Sequence, residues 1–360
     1  MGDHGKRKRI WEVLMRAVIY HGPGQKSWDE VPDPKLEADT DVIVQIDSVT
    51  ICGTDLHILK GDVPEVTPGR ILGHEAVGTV VERGTGVHSR REGDRVLLSC
   101  ISACGHCRFC REGRFGQCLE GGGWIFGHLI DGVQAEYARV PFADNSTYPV
   151  SDAVSDEQVL YLADILPTAY EVGVLAGGVR PGDVVAIVGC GPIGLSALVA
   201  SSLFSPAAVV AIDSVASRRE LALEFGADRA VAPEEAADTI GDLTGGLGAD
   251  VTIEAVGIPE TFELCAELVR PCGHVANVGV HGKPVSLHLE TLWIKDVTIT
   301  TGLVDTSSIP TLLRLIGSGR IDPTRFTTHR FDLEHAMDAY DTFARAGDTG
   351  ALKVLMQRPA

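Results

Sequence analysis

Basic side chains are scarce in this 360-residue sequence: 31 Lys and Arg residues stand against 49 Asp and Glu residues, which gives a formal net charge of −18. An excess of negative charge repels phosphate backbones and anionic lipid headgroups. Internal repeats, low-complexity segments and coiled-coil heptads are also missing. We therefore expect no nucleic acid and no membrane among the partners, and small molecules are the remaining class of ligand.

A long apolar leader is missing ahead of the nine cysteines, four of which crowd into Cys104 to Cys118. This odd, clustered set fits thiolate ligands in a reducing compartment better than the disulfides of a secreted protein. We therefore expect a cytoplasmic location. Residues 1–14 include the basic run Lys6 to Arg9, and we interpret them as a tail or a mis-assigned start before a pattern that begins at Met15.

One uncharged stretch runs from Val184 to Ile212 and ends at Asp213. Its length would suffice for a membrane span, since roughly 20 apolar residues cross a bilayer. Glycines instead divide it into a short β-favouring segment, a turn, a segment of helical length and a second strand. Strands buried on both faces of a parallel sheet have such continuous apolar character. We reject the membrane span and predict strand, turn, helix and strand.

The turn in this stretch reads G-x-G-x-x-G, and Asp213 lies 19 residues beyond its last glycine. This context indicates a dinucleotide site, because the glycines admit a pyrophosphate and the acid binds a ribose. Strands and helices alternate after about Val159, which predicts a doubly wound parallel sheet. The preceding β-branched segments, separated by Pro and Gly turns, predict a mostly antiparallel domain.

The cysteine cluster has the spacing Cys104-x2-Cys107-x2-Cys110-x7-Cys118. Four thiolates with this spacing can surround a zinc ion tetrahedrally, and such a closed shell leaves no position for a substrate. We predict a structural zinc site. The alternative is a set of free or oxidised thiols in a surface loop.

Six motifs follow one another between Met15 and Met356: CGTDLH from Cys52, GHE from Gly73, GDRV from Gly93, the four-cysteine lobe, GCGPIG from Gly189, and the acid at Asp213. Their order resembles that of the zinc-containing medium-chain dehydrogenases, the alcohol dehydrogenase superfamily. The resemblance implies an α/β fold with two domains. One is a GroES-like, mostly antiparallel catalytic domain (15–165 and 304–360, with a zinc lobe at 100–120), and the other a Rossmann coenzyme domain with a doubly wound parallel sheet (166–303).

The resemblance also implies two zinc ions per chain. Cys52, His74 and Asp164 would bind the catalytic ion, as in bacterial members with Asp as the third ligand, and Glu75 would support them or replace one. Thr54 would hydrogen-bond the substrate oxygen, and His57 would relay its proton to solvent. The simpler alternatives are a helix-terminal acid for Asp164, a turn hydroxyl for Thr54 and a solvated side chain for His57.

The implied cofactor is NAD, since an acid at 213 would repel the 2′-phosphate of NADP. Arg218 would lie beside the ribose unless it pairs with an acid such as Glu224. The residues that would contact the cofactor are Gly189, Gly191, Pro192, Ile193, Gly194, Asp213, Arg218, Thr168, Val256, Gly257, Val278, Gly279, Val280 and Lys353, the last reaching the pyrophosphate.

The expected activity is NAD-dependent oxidation of an alcohol, including secondary alcohols. Trp124 and Cys100 would line the substrate pocket, although Trp124 is also explained as a core or interface residue. Formaldehyde, threonine and polyol oxidation remain open within the same superfamily. A non-catalytic nucleotide-binding regulator and a zinc-independent quinone reductase are alternatives of other kinds, which the full ligand set disfavours. The resemblance implies a homodimer or homotetramer, with the strand VTITTGL as an edge.

Overall fold

The computed structural model describes residues 14–359. The prediction for residues 1–14 therefore lies outside the described residues, apart from Leu14. The strands of the described chain are β1 (Leu14–Gly22), β2 (Gln25–Pro32), β3 (Val42–Thr50), β4 (Ala76–Arg83), β5 (Arg95–Leu98), β6 (Tyr137–Val140), β7 (Thr147–Pro149), β8 (Val184–Val188), β9 (Ala208–Ile212), β10 (Arg229–Val231), β11 (Ala249–Glu254), β12 (Val269–Asn277), β13 (Thr298–Thr301), β14 (Thr327–Asp332) and β15 (Lys353–Gln357).

The chain forms two compact units. The first comprises residues 14–104, 124–160 and 327–359, and the second comprises residues 105–123 and 161–326. Residues 304–326 and the zinc-lobe residues 105–123, which the family resemblance assigned to the catalytic domain, are grouped with the second unit. In that unit Phe326 packs against Tyr161 and Phe225, with ring centroids 5.9 and 5.1 Å apart.

The first unit is built on a seven-stranded sheet with the order β14-β15-β3-β4-β5-β7, and β6 pairs with β3. All of its pairs are antiparallel except β14 with β15, and β1 and β2 form a separate antiparallel hairpin. Its apolar core joins β3 and β4 to residues of the helix Ala336–Ala344, including Tyr340. The helices are Gly53–Lys60, Ala143–Ser146, Asp156–Leu160, Leu333–His335 (a 3-10 turn), Ala336–Ala344 and Ala346–Thr349.

The second unit contains a six-stranded parallel sheet with the order β10-β9-β8-β11-β12-β13. Both β8 and β9 are buried along their whole length, because helices cover such a sheet on both faces. Its helices are Arg108–Arg111, Ile165–Thr168, Pro192–Ser202, Ala216–Glu224, Ala236–Thr244, Pro259–Leu268, Leu289–Leu292 and Ile309–Gly317. Shorter 3-10 turns are Phe115–Gln117, Pro233–Glu235 and Pro323–Phe326, and Ala169–Leu175 is a π-helix.

The predicted antiparallel and parallel halves are confirmed. The helix Ala236–Thr244 has buried positions that include Ala236 and Ile240. β11 ends at Glu254 and β12 at Asn277, and loops follow both strands. Within residues 14–359, no helix combines the length and the apolar character that crossing a bilayer requires.

Candidate metal and cofactor sites

Cys52 and His74 come together in the first unit, where a ligand atom of each lies within 4.8 Å of the other. Cys52 follows β3 and caps the helix Gly53–Lys60. The Asp55 carboxylate accepts the backbone N–H of Cys52 at 2.9 Å, which fixes the start of the helix. Because both Cys52 and His74 are at least nine-tenths buried, their donor atoms lie in a setting where a metal is shielded from bulk water.

A network of buried polar residues lies next to Cys52 and His74. Gln134 donates through Nε2 to the Asp55 carboxylate and to the Thr50 carbonyl, both at 3.1 Å. Tyr340 donates its hydroxyl to Gln134 Oε1 at 2.7 Å. Burial raises the pKa of Asp55, although the nearby His74 opposes this. Burial also raises the pKa of Tyr340 well above its ordinary value, so its hydroxyl stays a donor.

Glu75 and Lys353 form a buried ion pair, and each side chain is 1% exposed. The Lys353 ammonium donates to the Glu75 carboxylate and, at 3.0 Å, to the carbonyl of Ile51, the residue before Cys52. The family resemblance implied that Lys353 would reach the cofactor pyrophosphate. In the structure, Lys353 instead lies in this ion pair. A buried charge is stable only next to such partners. In this structure, Lys353 therefore connects β15 to the segments that carry Cys52 and His74.

Thr54 and His57 lie on the helix that follows Cys52. The Thr54 hydroxyl oxygen is 3.7 Å from the Cys52 sulfur. One turn later, His57 Nδ1 is 2.8 Å from the Asp62 carboxylate, and the His57 side chain is 37% exposed. A carboxylate at Nδ1 orients the ring and leaves Nε2 as the nitrogen for proton exchange.

Asp164 lies in the second unit, immediately before the short helix Ile165–Thr168. Its carboxylate makes no backbone cap there but accepts the Thr168 hydroxyl at 2.6 Å. Asp164 is thus the N-cap residue by position, as the simpler alternative expected, but its side chain does not bond the helix backbone. A thiolate, an imidazole and a carboxylate, which Cys52, His74 and Asp164 supply, are the donor types that zinc prefers. The chain therefore has a second set of candidate zinc ligands in addition to the four cysteines.

The four cysteines of the zinc lobe have their sulfur atoms within 4.8 Å of one another. Thiolates bind zinc at about 2.3 Å in a tetrahedral shell, so the loop's geometry fits this ion. The loop is shaped by its own backbone, as in the bonds from Arg111 N to Cys107 O at 3.0 Å and from Arg114 N to Phe109 O at 2.8 Å. Leu119 N also donates to Cys107 Sγ at 3.5 Å.

The glycine turn joins β8 to the helix Pro192–Ser202. A Cβ atom at Gly194 would stand 1.7 Å from the Gly189 carbonyl oxygen, so the helix approaches the strand only because residue 194 is glycine. A Cβ atom at Gly191 would meet nothing within 4 Å. The first turn of a helix leaves backbone N–H groups unpaired. The open space at Gly191, ahead of Pro192 and Ile193, thus fits the pyrophosphate of a dinucleotide.

Asp213 follows β9 at the same edge of the sheet. Its two carboxylate oxygens accept the backbone N–H groups of Cys190 and Val215, each at 2.8 Å. Arg218 lies 3.9 Å from this carboxylate, so it pairs with Asp213 and not with Glu224 as the simpler alternative had it. Burial and the Asp213 carboxylate raise the pKa of the Cys190 thiol to about 12.

The loops after β11 and β12 approach each other closely. A Cβ atom at Gly257 would lie 2.3 Å from the Val280 carbonyl oxygen, and one at Gly279 would lie 2.3 Å from the Glu254 carboxylate. Glu254 is fully buried and accepts the backbone N–H groups of Val256 and Gly257 at 2.9 and 2.8 Å. Val256 and Val280 nonetheless expose 44% and 70% of their surface. Val278 donates its N–H to the Glu254 carbonyl at 2.9 Å.

Trp124 and Cys100 lie in the first unit. Cys100 is buried. The Trp124 ring meets the His74 imidazole edge-on, with centroids 6.3 Å apart, and stacks on His128 at 4.3 Å. Trp124 is therefore a neighbour of His74 as well as a residue that packs on the core.

Sequence reasoning missed the residues that hold the ligands in place, namely Asp55, Gln134, Tyr340 and the pairing of Glu75 with Lys353. Asp55 has a local signal, since an acid three residues after a helix cap can bond the cap's backbone N–H. The contact between Gln134 and Tyr340 joins positions 206 residues apart, and no spacing rule connects them.

Two family models match the chain: residues 38–152 match the alcohol dehydrogenase GroES-like domain, and residues 192–318 match the zinc-binding dehydrogenase domain. An alcohol dehydrogenase of Cupriavidus necator is 35% identical, over 96% of this chain and 99% of that protein. A zinc-dependent alcohol dehydrogenase of Streptococcus pneumonia, solved in its apo form, is 48% identical with a TM-score of 0.92, over 96% of this chain and 99% of that one. An alcohol dehydrogenase of Thermus sp. ATN1 is 36% identical with a TM-score of 0.89, over 96% and 100%.

These similarities define a class of protein, the zinc-binding oxidoreductases built from a GroES-like and a Rossmann-type domain. Within that class, the chain belongs to the zinc-containing medium-chain dehydrogenases of the alcohol dehydrogenase superfamily.

Proposed function

We propose that this protein catalyses the reversible oxidation of an alcohol by NAD, with Cys52, His74 and Asp164 as ligands of a catalytic zinc ion. The observation that carries the proposal is the number of donors. Three ligands, unlike the four thiolates of the loop, leave one position of a tetrahedral zinc ion for the substrate. The four-cysteine loop is proposed as the structural zinc site.

When bound, zinc would supply Lewis acidity at the alcohol oxygen and NAD would supply the hydride acceptor. Thr54, close to the Cys52 sulfur, would hydrogen-bond the alcohol oxygen and accept its proton while releasing its own hydroxyl proton towards His57. His57, oriented by Asp62, would pass a proton to solvent. Glu75 supports the ligands through its ion pair with Lys353.

NAD is proposed as the preferred cofactor because a carboxylate stands at position 213. Asp213 is nearly buried and keeps both oxygens on backbone N–H groups, so a 2′-phosphate would meet a fixed negative charge. Gly189, Gly191 and Gly194 hold the pyrophosphate. Val256, Gly257, Val278, Gly279 and Val280 border the adenine and nicotinamide, and Thr168 lies beside the nicotinamide.

The test combines metal analysis with cofactor reduction. We expect two zinc ions per chain, and formation of NADH from at least one member of a panel of primary and secondary alcohols, threonine, polyols and formaldehyde adducts. In the variant Asp213→Gly, the ratio of kcat/KM with NAD to kcat/KM with NADP should fall by at least tenfold. The absence of turnover on the whole panel by a protein with two bound zinc ions would favour the regulator alternative.

We also propose a homo-oligomer and a cytoplasmic location. The edge strand β13 ends the parallel sheet, and the segment before it exposes Trp293 and Ile294 at 71% and 70%. Exposed apolar groups beside the open edge of a strand favour pairing with a second copy. The cytoplasmic proposal depends on thiols used as metal ligands. Sedimentation of the protein at several concentrations tests the first proposal.

A further inference from the structure

Two buried nitrogen atoms next to His74 have no hydrogen-bond partner among residues 14–359. They are Nε1 of Trp124 and Nε2 of His128. Leaving a buried polar atom without a partner is energetically costly. Since the two rings stack at 4.3 Å and the Trp124 ring also meets His74, both atoms belong to the surroundings of the proposed catalytic zinc ligand.

The loop that carries these rings is fixed to the segment that carries His74. Gly132 and Gln134 donate their N–H groups to the carbonyls of Ile71 and Leu72, each at 2.9 Å. A Cβ atom at Gly127 would lie 2.8 Å from the Gly73 nitrogen, so the loop can approach this closely only with glycine there. Trp124 and His128 are therefore held beside His74 by the backbone.

The hydrogen-bond roles of the two nitrogens follow from their contacts. His128 Nδ1 lies 3.1 Å from the Trp124 carbonyl, and a carbonyl oxygen only accepts. Nδ1 therefore carries the proton, and in the neutral ring Nε2 is an acceptor. Trp124 Nε1–H is a donor only. One donor and one acceptor thus lie on stacked rings, and a hydroxyl group, which both donates and accepts, matches the pair.

We propose that Trp124 and His128 form a subsite for a second hydroxyl group of the substrate, so that the protein acts on diols or larger polyhydroxy alcohols in preference to simple alcohols. This inference rests on the proposed function, because it assigns the first hydroxyl to the catalytic zinc. Sites built to hydrogen-bond a substrate group discriminate strongly against analogues that lack it, since their polar atoms are then left unpaired.

The test compares 2-butanol with 2,3-butanediol and 1,3-butanediol at pH 8, in the zinc-loaded enzyme with NAD. We expect kcat/KM for at least one diol to exceed that for 2-butanol by about tenfold or more. His128→Phe keeps the aromatic stack and removes Nε2, and Trp124→Phe removes Nε1–H. In each variant, kcat/KM for the diol and kcat/KM for 2-butanol should differ by no more than about threefold.

Trp28→Phe is the matched control, because Trp28 is in the same unit and its indole nitrogen is also buried without a partner, but it lies on β2. This variant should keep the parent ratio. Thermal stabilisation by the diol without NAD gives a second readout, since a ligand that binds the folded state raises Tm. The shift should appear in the parent protein and disappear in His128→Phe.

The outcomes separate this inference from the proposed function. Equal ratios in the parent and in both folded variants, with turnover of 2-butanol retained, would overturn the subsite and leave the dehydrogenase proposal standing. Diol-dependent stabilisation that His128→Phe abolishes, in a protein that oxidises none of the alcohols, would support the subsite and contradict the dehydrogenase proposal.

Discussion

The two groups of proposed zinc ligands reach their positions by different means. The four cysteines lie within 15 consecutive residues, 104–118, and local backbone bonds shape their loop. Cys52 and His74 are 22 residues apart, and buried polar residues from the helix Ala336–Ala344 and from β15 hold them in place. Because this loop is short, we expect a bound metal to contribute much of its stability. The Cys52–His74 pair instead depends on the folded unit around it.

The largest effect is expected for Cys52→Ala. Loss of this ligand removes the metal's contribution to stabilising transition-state charge, which amounts to several kcal/mol, so kcat/KM should fall by about a thousandfold or more. The zinc content should drop from two ions to one per chain, while the unfolding temperature changes little. Cys272→Ala, at an exposed cysteine, is the control and should keep both zinc ions and the activity.

The opposite result is expected for Cys110→Ser in the four-cysteine loop. Loss of a structural metal is among the largest destabilising changes, and about 3–5 kcal/mol corresponds to a fall in Tm on the order of ten degrees. The remaining zinc should sustain turnover in the molecules that stay folded. Arg111→Ala, at a neighbouring exposed position, serves as the control. Loss of turnover at unchanged Tm would show that the loop takes part in the chemistry.

The two ligand groups also differ in how far the sequence predicts them. The four-cysteine spacing, the glycine turn and Asp213 are local patterns, and each carries its chemistry within a short segment. Gly194 is an example, since its contact with Gly189 is already implied by the motif. Tyr340 and Lys353 carry no such pattern, because their partners are brought to them only by the tertiary fold. A lysine near the end of the chain thus looks like a cofactor ligand in sequence, whereas its contacts place it in a buried ion pair.

Lys353→Met tests how far the Cys52–His74 pair depends on this ion pair. Removing the ammonium leaves the Glu75 carboxylate buried without its cation, which costs about 3–5 kcal/mol. Urea unfolding should show this loss, and Lys353→Met combined with Glu75→Gln should recover part of it. Lys35→Met is the control, because Lys35 is exposed and surface charges contribute about 0–1 kcal/mol. Equal losses in the two single variants would contradict the structural role given to Lys353.

The smallest effect is expected for Tyr340→Phe, which removes one hydroxyl from the network that supports Cys52. Gln134 Oε1 would lose its donor while buried, at a cost of about 1–3 kcal/mol. Tyr137→Phe is the matched control, because its hydroxyl accepts from Gln45 Nε2 at 2.9 Å at a half-buried position, where water can replace it. We expect urea unfolding to show a clearly larger loss for Tyr340→Phe, with a few-fold fall in kcat, since Gln134 also holds Asp55 and thereby the N–H of Cys52. The same small loss in both variants, with kcat unchanged, would mean that the network does not position the ligand. The position of Cys52 would then depend only on the hydrogen bond from its backbone N–H to the Asp55 carboxylate.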